Sequence, residues 1–158
     1  MRIRTSMFAA VLVSALSLGA SAQTTKSTDI PSPSTWKLNA GASDFGGGPA
    51  VKSATLNIYS NTDTSLRWKE VLTDDTGTRT GSFRGAPDGK SRPIVGSKPP
   101  QKISFDPDGS FHVDQAGARV IDGKTVTSDD KKSIVQTQTL KTPDGHQFHR
   151  KLVFDRVK

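Results

Sequence analysis

The chain has 158 residues, 22 Lys and Arg against 15 Asp and Glu, 32% hydrophobic residues and no cysteine. This length allows one ordinary domain, and the missing cysteine excludes a disulfide scaffold, thiolate metal sites, cysteine catalysis and a lipid-modified N-terminal Cys. The formal charge of +7 raises the question of an anionic partner, and its answer depends on where the basic residues lie.

Residues 1–22 open with Arg2 and Arg4, continue through the apolar stretch from Phe8 to Val13, and reach the small-x-small run Gly19-Ala20-Ser21-Ala22. This is the pattern of a cleaved secretory signal peptide, too short in its apolar part to span a bilayer. Without it the formal charge falls to +5. The sequence therefore predicts export to the periplasm or the medium, with no membrane span. Residues 23–35 (QTTKSTDIPSPST) are rich in Ser, Thr and Pro with Ile30 as their one large apolar side chain, the composition of a disordered leader. One domain is expected over residues 36–158.

Within that domain no window carries apolar residues at i, i+3, i+4 and i+7, and Gly or Pro recurs too often for a long helix. Short alternating runs with β-branched and aromatic residues recur instead. They predict strands over 36–39, 53–60, 65–73, 78–85, 92–95, 102–106, 110–115, 118–127, 133–140 and 147–157. Pro87-Asp88-Gly89, Pro107-Asp108-Gly109, Asp122-Gly123 and Pro143-Asp144-Gly145 read as tight turns, and Gly46-Gly47-Gly48-Pro49 as a flexible or sharply turning connection. Successive hairpins leave no room for crossover helices, so neighbouring strands run antiparallel, and about ten of them close on themselves to remove their edges. The expected fold is all-β, an antiparallel up-and-down barrel of about eight to ten strands.

Three segments carry a family resemblance. They are Trp36-Lys37-Leu38-Asn39 followed by Ser43-Asp44-Phe45-Gly46-Gly47-Gly48-Pro49 and Lys52-Ser53-Ala54-Thr55-Leu56, then Asp88-Gly89-Lys90 followed by Pro93-Ile94-Val95-Gly96, and finally Leu152-Val153-Phe154-Asp155-Arg156. Together they resemble the motifs of a family of uncharacterised secreted bacterial lipocalin-like domains, over essentially the whole chain from Trp36. The resemblance implies a small antiparallel barrel and brings no established activity.

Motifs for chemistry are weak. The run from Gly85 to Ser91 is one residue short of a phosphate loop, and Pro93 blocks the helix such a loop needs. Asp106, Asp108 and Asp114 lack the Gly position and terminal Glu of a calcium loop. His146 and His149 fall on opposite faces of one strand, and His112 lies in another. No Gly-x-Ser-x-Gly elbow is present, and Glu70 is the single Glu of the chain. No enzyme activity, metal or cofactor is expected. The Lys and Arg residues are spread along the chain, so no nucleic-acid partner is expected either.

One constellation stands out. Alternation places Leu66, Trp68, Glu70 and Leu72 on one face of the third strand and Phe148, Arg150, Leu152 and Phe154 on one face of the last, so that each apolar face carries one charge. The functional reading is a lumen in which Arg150, with Glu70, meets the polar head of an apolar or amphipathic ligand, since an Arg fork in an apolar cavity suits a carboxylate. Trp68, Phe83, Phe105 and Phe111 share the inward face and would form the wall. The structural reading pairs Arg150 with Glu70, sets them at the barrel mouth, or turns them outward at a bulge. Two functions follow: non-covalent binding of a small apolar or amphipathic molecule, or a ligand-free envelope or extracellular interaction module with a filled barrel. A lumen of a few hundred Å³ separates them.

Overall fold

The computed structural model describes residues 29–116 and 119–158. The expected signal peptide and residues 23–28 of the expected leader lie outside these residues. Ten strands follow in order: β1 (Ser34–Leu38), β2 (Val51–Thr62), β3 (Ser65–Asp74), β4 (Gly77–Gly85), β5 (Arg92–Ile94), β6 (Gln101–Phe105), β7 (Ser110–Gln115), β8 (Arg119–Thr127), β9 (Ser133–Lys141) and β10 (Gln147–Arg156), with one 3-10 turn at Ala40–Ala42. All ten expected strands are present, with boundaries within two residues of those predicted.

Every strand pairs antiparallel with its neighbour, in the order β4-β3-β2-β1-β10-β9-β8-β7-β6-β5. The first and last strands meet through Trp36↔Arg156 and Leu38↔Phe154. The sheet closes between β4 and the three-residue β5 through one bridge, in which Ser82 and Val95 exchange hydrogen bonds of 2.9 and 2.8 Å. So short a ladder gains help from side chains lying across glycines. A Cβ on Gly81 would stand 2.8 Å from Ile94 Cγ2, and one on Gly85 would stand 2.7 Å from Arg92 Cδ. Arg92 is itself held by Asp88 in a two-pronged pair of 2.6 and 2.8 Å, which fixes the loop ahead of β5.

Strand polarity sorts the connections into two ends. At one end lie the turns that follow β2, β4, β6 and β8, together with residues 29–33. Ordered chain starts earlier there than the Ser/Thr/Pro composition predicts: β1 begins at Ser34, and Ile30 is buried in the core. The Asn61 amide donates to the Ile30 carbonyl at 3.0 Å, and Ser32 Oγ accepts from the Asn61 backbone at 3.1 Å. A single apolar side chain thus plugs this end, and its burial offsets the cost of ordering a polar segment. At the other end the long β1–β2 connection stays in the wall. Asp44 and Lys151 exchange backbone hydrogen bonds of 2.8 and 2.7 Å. Gly46 at φ 59° passes so close to the His149 carbonyl that a Cβ would stand 1.6 Å from its oxygen, and only glycine fits.

The Asp122-Gly123 turn is corrected: both residues lie inside β8, opposite His112 and Phe111 of β7. Gly123 is there for space, since a Cβ would meet Phe111 Cζ at 2.4 Å and the Thr137 carbonyl at 2.8 Å. The three Pro-Asp-Gly runs do connect strands, each with its Gly at positive φ.

The core is divided. One cluster gathers Trp36, Val51, Leu56, Ile58, Ile134, Leu152 and Phe154 around β1, β2, β9 and β10, and the other gathers Leu66, Phe83, Ile94, Ile103, Phe111 and Val113 around β3 to β7. Trp68 packs against both. Outward strand positions carry Lys37, Arg67, Lys69, Arg84, Lys102 and Lys151, a face suited to water rather than lipid tails. No helix of the described residues is long and apolar enough to cross a membrane.

Placing a methyl group at Gly123 tests this packing. Gly123→Ala is expected to lower unfolding stability by about 1–3 kcal/mol, because the Phe111 ring or the β8–β9 ladder must move. Urea unfolding checks it, and an unchanged midpoint would show that the Phe111 contact is slack.

Candidate functional site

Between the two clusters lies a cavity of about 200 Å³, buried at its Ile30 end and reaching the exposed Arg79, Thr80 and Lys98 at the other, its open end. Its deep part is apolar, lined by Ile30, Ile58, Leu66, Trp68, Phe105 and Phe111. The aromatic rings brace one another. Phe83 stacks on Trp68 at 5.9 Å, Phe105 meets Trp68 edge-on at 6.5 Å and Phe83 at 5.2 Å, and Phe105 tilts against Phe111 at 6.0 Å. Such pairs add about 0.5–1.5 kcal/mol each beyond burial and hold the wall rigid.

Five of the six residues singled out from sequence line this space: Arg150, Glu70, Trp68, Phe105 and Phe111. The sixth, Phe83, is buried behind Trp68 and supports the wall without lining it. The cavity falls short of a few hundred Å³ because this ring cluster fills much of one side.

The polar part lies toward the open end. Arg150 comes from β10, where its partner across the ladder is Gln138 of β9. Its Nε donates to Gln138 Oε1 at 2.6 Å, and the Gln138 amide donates to Gln136 Oε1 at 3.1 Å. Gln138 is buried, so this relay sets the guanidinium plane and leaves both terminal nitrogens unengaged among the described residues. Arg79, Lys98 and Arg119 also border the cavity. Arg79 is paired with the buried carboxylate of Asp74. Asp74 is held below the usual carboxylate range, first by the Thr76 hydroxyl at 2.6 Å, with help from Arg79 and Arg119.

Glu70 and Arg150 share the lumen without a direct ion pair or hydrogen bond between them, and both remain on the inner face. Burial pushes the Glu70 carboxyl above its usual range, against the pull of Arg150 and Arg79. Burial likewise lowers Arg150 to about 10; Glu70 opposes this, while Arg119 and Arg79 reinforce it. The lumen thus carries an excess of positive charge that its own carboxylate does not neutralise.

The sequence reading missed Arg79, Arg119, Lys98, Gln136 and Gln138. Four of these were within reach of the same alternation: Arg79 shares parity with Phe83, Arg119 with Ile121, and Gln136 and Gln138 with Ile134 and Leu140. Lys98 sits in the β5–β6 connection, where no periodicity applies. Among the described residues no cluster of His, Asp and Glu could hold a metal ion.

The chain matches no protein-family model and no curated protein.

The strain on Glu70 has a pH signature. With its folded pKa above the unfolded value near 4.5, the protonated carboxyl's contribution to stability is fully present below that value and lost as pH rises through the folded one. Glu70→Gln mimics the protonated form. The variant is expected to melt at a higher temperature than the parent at pH 7, with the gap closing as pH falls toward 4. A variant less stable than the parent at pH 7 would mean that ionised Glu70 is held by a net favourable interaction with the arginines.

Proposed function

We propose that this protein is a secreted, lipocalin-like barrel that binds a small apolar or amphipathic molecule non-covalently in its lumen. The observation that carries this reading is the coexistence, in one cavity of about 200 Å³, of an apolar floor and an Arg150 guanidinium whose terminal nitrogens make no hydrogen bond among the described residues. A filled barrel would bury its charges against each other. Here the chain keeps several cations facing a space that its own side chains leave empty, an arrangement whose desolvation cost is offset when a partner arrives.

The size of the cavity limits the partner. Pockets for drug-sized ligands run from about 300 to 1,000 Å³, so the molecule is small or leaves its polar end outside. Binding consists of burial plus one charged anchor, with no covalent step. The signal-peptide pattern of residues 1–22 supports action in the periplasm or the medium, and the motifs from Trp36 to Arg156 support the lipocalin-like assignment.

Native mass spectrometry of protein recovered from its own host tests the reading. A reproducible non-covalent adduct is expected, and Arg150→Ala should lose it. A bare mass, with a lumen found filled by side chains, would overturn the proposal in favour of an interaction module that works through its outer surface and loops.

A further inference from the structure

We infer that the ligand is a short organic anion, oriented with its head among Arg150 and Arg119 at the open end and its tail pointing toward Ile30. This rests on the lumen-binding reading above and adds the sign of charge, the direction and the length.

The sign follows from a count of what faces the cavity. Arg79, Lys98, Arg119 and Arg150 border it against one carboxylate, Glu70. Arg79 is already committed to Asp74 behind it. That leaves Lys98, Arg119 and Arg150 against the single carboxylate of Glu70, and the fields of Arg119 and Arg150 oppose each other, an arrangement that costs free energy until a further anion lies between them. The relay from Gln136 through Gln138 holds Arg150 by Nε alone. Its two terminal nitrogens make no hydrogen bond among the described residues and together form the fork that a carboxylate accepts bidentately. Gln138 is accordingly a positioning residue, and Arg119 and Arg150 are the contacts.

The direction follows from the fold. The strand ends carrying Arg79, Arg119 and Arg150 all lie toward the open end, whereas Ile30 and Ile58 lie at the plugged end. An amphiphile entering tail-first would pass Glu70 and Gln136 and end among the apolar side chains of Ile58, Leu66, Trp68 and Ile30. Length follows from volume: about 200 Å³ lies below the roughly 300 Å³ at which pockets for drug-sized ligands begin, which suits a short tail and excludes a long acyl chain from full burial. Glu70 then acts against the head while ionised, so that its neutralisation should favour the ligand.

Calorimetric titration of the purified, lipid-stripped protein with octanoate and with 1-octanol tests this. Octanoate is expected to bind about tenfold or more tightly than octanol, the margin of one charged hydrogen-bonded contact. Arg150→Gln and Arg119→Gln should each cost octanoate about tenfold and change octanol less than about twofold. Arg119 sits at the rim of the site, so its variant keeps the test open if the Arg150 variant fails to fold. Glu70→Gln should tighten octanoate. Equal affinities for octanoate and octanol would overturn the anion inference while leaving lumen binding in place. Failure of both probes to bind would overturn the lumen reading itself, and the inference with it.

Discussion

A ten-stranded barrel encloses more interior than this chain can fill. Excluding residues 1–22, it has about thirty large aliphatic and aromatic side chains, roughly a fifth of its length, which is lean for a globular core. They gather into two clusters instead of one. Close packing is local to each, and Trp68 is the side chain that belongs to both. The space left between them is the cavity, and polar side chains enter it at inward positions that a fuller core would have given to Leu or Ile. The plug by Ile30, the glycines beneath Phe111, Ile94 and Arg92, and the charged lumen can all be understood from this shortage.

The charges in the lumen carry the functional argument because they are costly where they stand. Glu70 and Arg150 are both shifted toward their neutral forms by burial, and their mutual attraction recovers part of that cost but not all of it. A barrel selected only to stand would gain by replacing them with apolar residues of similar volume. Retaining an excess of arginine over carboxylate makes physical sense if a mobile anion completes the site. The buried relay through Gln136 and Gln138 belongs to the same logic, since it spends polar groups on orienting one guanidinium.

Much of the fold was legible in the residues. Period-two alternation located the strands, and the Pro-Asp-Gly runs located three of their connections, because both signals are local. Gly123 misled for a physical reason: in a dipeptide, Asp-Gly reads as a turn, and the need for space beneath Phe111 appears only once β7 and β8 are paired. Ile30 was hidden by its polar neighbours, and its role depends on a contact with Asn61, thirty-one residues away. At the site, the charges on strands flanked by aromatic residues were legible, whereas Arg79 was obscured by the glycines that share its face. Lys98 could not be found at all, because a connection has no period from which to read an inward position.

On this reading the space between the two clusters is an open, polarised lumen that a ligand enters tail-first. Intermolecular NOEs between octanoate and isotopically labelled protein test it most directly. Contacts are expected from the terminal methyl to Ile58, Leu66 and Trp68, and from the methylene beside the carboxylate to Arg150 and Arg119. Contacts confined to the outer faces of the strands, or an inverted order with the methyl end at the arginines, would contradict it.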